Sequence, residues 1–123
     1  MAKYQISDSE WIILKVIWKH QSISANEIIK ALEGQVDWAP KTIKTMLNRL
    51  VSKEIIGYEK SGRAYLYHPL ISSSETIKEE NKSFIKKVYN GNFSSLLASF
   101  VEQNEFSQEE IDEFKKILES KRQ

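Results

Sequence analysis

One change of hydrophobic period limits what this chain can fold into. Between Ile55 and His68 the apolar residues fall in two short runs, Ile55-Ile56-Gly57-Tyr58-Glu59 and Ala64-Tyr65-Leu66-Tyr67-His68. On either side of that stretch they recur every three or four residues. The runs are rich in β-branched and aromatic residues, and the polar, glycine-containing Lys60-Ser61-Gly62-Arg63 separates them. This pattern predicts a β-hairpin. Pro69 has no N–H to offer a further ladder bond and closes it. The chain is thus a hairpin set between two helical regions.

The helices announce their own starts. Ser7…Glu10, Ser24…Glu27, Ser72…Glu75 and Ser107…Glu110 each fit a capping box, in which serine and glutamate satisfy free backbone N–H groups reciprocally. Pro40 marks a fifth start, because its missing N–H costs nothing in a first turn. A first helix is predicted from about Asp8 to His20, with Trp11, Leu14, Ile17 and Trp18 inward. A second runs from about Ala25 to Glu33, burying Ile28, Ile29 and Leu32, and Gly34 stops it. The third, from Pro40 to about Lys53, turns Ile43, Leu47, Leu50 and Val51 inward. Beyond Ser72-Ser73-Ser74, a fourth stripe holds Ile77, Phe84, Ile85, Val88 and Tyr89, and Asn90-Gly91-Asn92 breaks it. A fifth holds Phe93, Leu96, Leu97, Phe100 and Val101, and a sixth Ile111, Phe114, Ile117 and Leu118.

Three helices followed by a hairpin is the order of a winged helix. The predicted fold is mainly α. A winged-helix domain over residues 1–70 precedes a three-helix dimerisation region over 71–123. With Ile43, Leu47 and Leu50 inward, Lys41, Thr45, Asn48 and Ser52 point outward on the third helix, and Lys44 and Arg49 flank them. Lysine and arginine can meet phosphates or guanine edges, asparagine can pair with adenine, and threonine can meet thymine. Lys60 and Arg63 add charge at the hairpin tip. Trp38 is assigned to packing at the start of the third helix. His68 is read as a strand-end hydrogen-bonder, and His20 as a favourable charge at a helix C-terminus.

Charge supports that division. The net charge is only +1, yet residues 1–70 carry ten Lys/Arg against seven Asp/Glu, and residues 71–123 carry eight against ten. Between Ala39 and Arg63 stand Lys41, Lys44, Arg49, Lys53, Lys60 and Arg63, opposed by Glu54 and Glu59 alone. Six such cations per chain allow a slope of log K against log salt of roughly −5 to −10 for two chains on one duplex. The C-terminal stripes are wide for about 50 residues, and a unit that small struggles to bury them alone. Pairing two copies would bury them and match a palindromic site. Folding back on the winged helix in a monomer is the alternative.

Other classes are excluded or disfavoured. The apolar share of 41% and charged share of 28% describe a globular chain. No stretch approaches the roughly 20 apolar residues of a membrane helix, and no leader-like segment is expected at the start. The chain has no cysteine and two histidines, so no metal site, cofactor or disulfide is expected, and the cytoplasm is the default address. No nucleophile–base pair or phosphate-cradling glycine loop stands out, so no enzymatic activity is expected. The competing reading is a winged-helix adaptor that binds protein rather than DNA. An adaptor would be expected to show an apolar outer face on the third helix, and Thr45, Asn48 and Ser52 are not apolar.

Several segments together carry a family resemblance. They are Ile6-Ser7…Glu10-Trp11, Val16-Ile17-Trp18, Ser24-Ala25-Asn26-Glu27-Ile28, Asp37-Trp38-Ala39-Pro40-Lys41-Thr42-Ile43-Lys44-Thr45 and Asn48-Arg49-Leu50. Phe84-Ile85…Val88-Tyr89, Ser95-Leu96 and Glu109-Glu110-Ile111 continue it. The chain resembles the penicillinase repressor (BlaI/MecI) family over nearly its whole length. The resemblance implies a winged-helix repressor, dimeric through its C-terminal helices, that blocks transcription from dyad operators with TACA and TGTA half-sites. It implies that Lys41, Thr42, Lys44, Thr45 and Arg49 are recognition-helix contacts. It also implies induction through a membrane sensor protease and a cut within the C-terminal half. The family's Asn-Phe cleavage bond aligns with Ser99-Phe100, where serine replaces the asparagine. Related copper repressors end in a cysteine-rich metal hook, which a chain without cysteine cannot form.

Overall fold

The structure is a computed structural model, and it describes residues 4–122. The predicted capping chemistry is visible at atomic level. In α1 (Asp8–His20) the Ser7 Oγ accepts from the Glu10 N–H at 3.2 Å, and the Ser7 N–H donates to Glu10 Oε1 at 2.9 Å. Ser24 and Glu27 start α2 (Ala25–Ala31) in the same way, and Ser107 and Glu110 start α6 (Gln108–Glu119). Pro40 opens α3 (Pro40–Ser52). Ser72 accepts from the Glu75 N–H ahead of α4 (Ser73–Tyr89). Asn92, read from sequence only as a breaker, also caps α5 (Phe93–Gln103) by accepting from the Ser95 N–H at 3.1 Å.

The hairpin is longer and tighter than its sequence pattern indicates. Strands β2 (Ile56–Ser61) and β3 (Ala64–Pro69) pair antiparallel, with Ser61 opposite Ala64 and Ile56 opposite Pro69. The turn therefore shrinks to Gly62 and Arg63, and Lys60 moves into the ladder opposite Tyr65. Gly62 makes this possible because its φ of +63° is open to a residue without Cβ. A third strand, β1 (Ile23–Ser24), pairs with β3 and gives the order β1-β3-β2. Two residues are too few to show a period of two, so this strand left no trace in the pattern.

Ile13, Leu14, Ile17, Ile23, Ile28, Leu32, Ile43, Leu47, Leu50, Ile55 and Ile56 form the fully buried core of the N-terminal unit. Each such side chain contributes roughly 1.5–3 kcal/mol by leaving water. The expectation for α1 needs one correction. Trp11 and Trp18 are half-buried at the edge, and Ile13 takes the inward position. An indole needs a partner for its N–H. Trp18 finds one at the perimeter, donating to the Ile71 carbonyl at 3.1 Å, and packs edge-on against Trp11 at 5.6 Å. Trp38 is half-buried against the core, as packing at the start of α3 requires.

Contacts divide the chain into two compact units, one ending at Asn81 and one beginning at Lys82. The division falls inside α4 and not at Leu70, where the composition shifts. Ile71 packs against the N-terminal core, and buried Thr76 donates to the Ser72 carbonyl at 2.8 Å. The start of α4 thus belongs to the first unit. In the second, none of the described residues 82–122 is buried in the single chain. Its ring contacts, Phe84 with Tyr89 in α4 and Phe106, ahead of α6, with Phe114, involve no buried side chain.

Candidate nucleic-acid interface

The chemistry of α3 follows from its two faces. Ile43, Met46, Leu47 and Leu50 point into the core and fix the helix's rotation. That rotation leaves Lys41, Lys44, Thr45, Asn48, Arg49 and Ser52 exposed, and Thr42 half-buried. The Thr45 hydroxyl donates to the Lys41 carbonyl at 3.0 Å, so in the free chain its oxygen and methyl, not its proton, remain for a ligand.

Lys53 departs from expectation. It belongs to the cationic window in sequence, but its Nζ donates to Glu10 Oε1 at 2.8 Å, to Oε2 at 3.1 Å and to the Gln5 carbonyl at 2.7 Å. Glu10 is only 1% exposed. The pair ties the C-terminal end of α3 to the first turn of α1. Burial pushes the Glu10 carboxyl up, but the bonds from Lys53 and Ser7 outweigh it and hold the group below its ordinary value. Periodicity could not reveal this partner, which lies 43 residues away. Lys41, Lys44, Arg49, Lys60 and Arg63 have no ion pair among the described residues. They are therefore the cations of this window open to a polyanion.

The hairpin lies beside α3 and closes a groove against it. Lys44 and Asn48 line it from the helix, Ser24 and Asn26 from the start of α2, and Arg63 and Tyr65 from the hairpin. The sequence reading singled out Lys44, Asn48 and Arg63 but not Tyr65 or Asn26. The signal for Tyr65 was there: ladder register puts Tyr58, Lys60, Tyr65 and Tyr67 on one face of the hairpin. Tyr67 is buried, which pushes its phenol above the ordinary value, with Tyr58 and Tyr65 adding to the effect. Among the described residues the His68 side chain makes no hydrogen bond, in contrast to the expectation. Its half-buried ring covers Gly57 across the ladder, where a Cβ would come within 3.0 Å of Nε2. His20 does sit at the C-terminus of α1, its Nδ1 3.0 Å from the Val16 carbonyl.

In the second unit, Phe84, Val88, Phe93, Leu97, Phe100, Ile111, Phe114 and Leu118 are exposed in the single chain, and Ile85 and Leu96 are half-buried. Ile77, at the start of α4 in the first unit, is likewise exposed. The Ser99–Phe100 bond lies within α5, where Gln103 donates to the Ser99 Oγ and the Asn104 amide donates to the Phe100 carbonyl. Among the described residues, no group of three His, Cys, Asp or Glu is placed to hold a metal ion, and no helix is long and apolar enough to cross a membrane.

A family profile described as Penicillinase repressor matches residues 6–120. The chain is 46% identical over 115 residues to the penicillinase repressor of Bacillus licheniformis, covering 94% of this chain and 90% of that one. It is 42% identical over 118 residues to the methicillin resistance regulatory protein MecI of Staphylococcus aureus, covering 96% of each. Among solved structures, it resembles the Bacillus licheniformis BlaI monomeric form in complex with the blaP half-operator. The TM-score is 0.52 and the identity 51%, covering 58% of this chain and 87% of that one.

Proposed function

The chain belongs to the penicillinase repressor family, and on that premise we propose that it is a dimeric transcriptional repressor that occludes a promoter by holding a palindromic operator. The observation that carries this reading is the groove between α3 and the hairpin, with Lys44 and Asn48 on one wall and Arg63 on the other. α3 enters the major groove. There Lys41, Thr42, Lys44, Thr45, Asn48 and Arg49 meet base edges and phosphates, while Lys60 and Arg63 reach a neighbouring phosphate row. A relative of known structure was solved on a half-operator, which supports the same placement. The names of the relatives point the regulated genes to β-lactam resistance. Function on DNA places the protein in the cytoplasm.

The dimer rests on Phe84, Val88, Phe93, Leu97 and Phe100, with Ile77, Ile85, Leu96, Ile111, Phe114 and Leu118 completing the apolar faces. Stripes exposed to this degree in one chain are satisfied by a second copy. Induction is then loss of the dimer. A cut at Ser99–Phe100, triggered by a membrane sensor protease, would remove the rest of α5 and all of α6. A single winged helix would hold its half-site too weakly to repress. Because the bond lies inside α5, the helix must unwind before a protease can reach it.

The test is to pull down fragmented genomic DNA of the source organism with the purified chain and sequence what is retained. Enrichment of an inverted repeat upstream of a few genes is expected, with a β-lactamase or sensor-protease gene beside it. No enrichment at low salt would overturn the repressor reading in favour of a protein-binding adaptor.

A further inference from the structure

The hairpin wall of the groove is not all charge. Tyr65 is 47% exposed there and lines it together with Lys44, Asn48 and Arg63. Its hydroxyl has no hydrogen-bond partner among the described residues. The ring is nevertheless held in place. Tyr58 meets it edge-on at 4.9 Å and 67°, and Tyr58 in turn contacts the buried Tyr67 at 6.1 Å. Cross-strand pairing of Tyr58 with Tyr67 and of Lys60 with Tyr65 keeps these side chains on one face. An aromatic side chain fixed from behind loses little rotamer freedom when a ligand covers it. It offers apolar area, one O–H donor and no charge.

Resting on the operator-binding reading, we propose that Tyr65 is an uncharged contact to the DNA backbone. Its hydroxyl donates to a phosphate oxygen next to the one met by Arg63, and its ring covers the adjoining deoxyribose. Tyr58 is the positioning residue behind it. The occupant is duplex DNA because the groove is continuous with the exposed face of α3 and the cations on both walls have no acidic partner among the described residues. The contact holds the wing against the duplex at a point where salt does not compete, since no counterion is released by a neutral donor.

The experiment compares the full-length chain with Tyr65→Phe, Tyr65→Ala and Lys44→Ala on the recovered operator duplex, from about 50 to 200 mM salt. Tyr65→Phe keeps the ring and the Tyr58 contact, and its melting temperature is expected to match the parent. It should bind about 10- to 150-fold more weakly per half-site, the worth of one hydrogen bond to a charged acceptor. Tyr65→Ala should bind more weakly still. Both should keep the parent's salt slope, whereas Lys44→Ala should flatten it by about 0.9 per half-site. Tyr65→Phe binding as tightly as the parent at every salt concentration would overturn the proposal. So would a slope flattened as far as that of Lys44→Ala. Failure of the parent chain to prefer operator over random duplex would instead bring down the operator reading on which the proposal rests.

Discussion

Lys53 lies in the most basic stretch of the chain, and its replacement is expected to leave the electrostatics of DNA binding untouched. Its ammonium is committed to Glu10 and the Gln5 carbonyl. Five cations of the window remain for phosphate, and together they account for a slope of log K against log salt of about 4.5 in magnitude per half-site and about 9 for a full operator. Lys53→Met should keep that slope, while Lys44→Met should reduce it by about 1.8 on a full operator bound by two chains. The effect of Lys53→Met appears in stability instead. Among the described residues, it leaves the buried Glu10 carboxylate with the bond from the Ser7 N–H. Stranding a buried charge costs about 3–5 kcal/mol, and the 37% exposure of the Lys53 side chain lowers this to about 2–3. For a winged-helix unit of this size that is a melting decrease of roughly 10–20 °C. Glu10→Gln combined with Lys53→Met should recover part of the loss, because no charge is then left buried. Anisotropy titrations across a salt series and urea or thermal melts read the two effects separately. A Lys53→Met protein with unchanged melting and a slope flattened as far as in Lys44→Met would refute the reasoning. Lys53 would then have to leave Glu10 to meet phosphate.

Three further outcomes follow from other parts of the fold. The Glu10 carboxyl is held below its ordinary value of 4.5, so its contribution is complete above that pH and is lost as the pH falls through the folded-state value. Acid melts should therefore steepen below about pH 4.5 in the parent and less so in Glu10→Gln, and equal steepness would count against the pair as the acid-sensitive element. Gly57→Ala places a methyl 3.0 Å from the His68 ring and 3.3 Å from Leu70, and should cost about 1–3 kcal/mol by urea denaturation. Adding His68→Ala should relieve most of that, and no relief would mean that the backbone, not the ring, resists. Leu97→Asp, on the exposed stripe of α5, should shift the chain from dimer to monomer in sedimentation and weaken full-operator binding far more than half-site binding. A Leu97→Asp chain that still sediments as a dimer would rule out this face as the interface.

The residues legible in sequence were those whose roles are local. A capping box is complete within four residues, and Ser7, Ser24 and Ser107 perform as written. The apolar period of α3 sets its rotation, and rotation alone decides that Lys41, Lys44, Asn48 and Arg49 face out. What could not be read depends on partners distant in the chain. Ile23 joins a strand only because Tyr67 comes to lie opposite it, and Lys53 leaves the cationic face only because Glu10 is brought beneath it. Tyr65 is an intermediate case. Its face was implicit in the alternation of β3, but which face lay over the groove was settled by the docking of Tyr67 and Ile56 into the core. Charge counting therefore includes one lysine that is already paired with Glu10 and passes over the exposed Tyr65 beside the groove. The two errors have a single origin. A linear window weighs residues by type, whereas a phosphate meets only those that the packing has left without another partner.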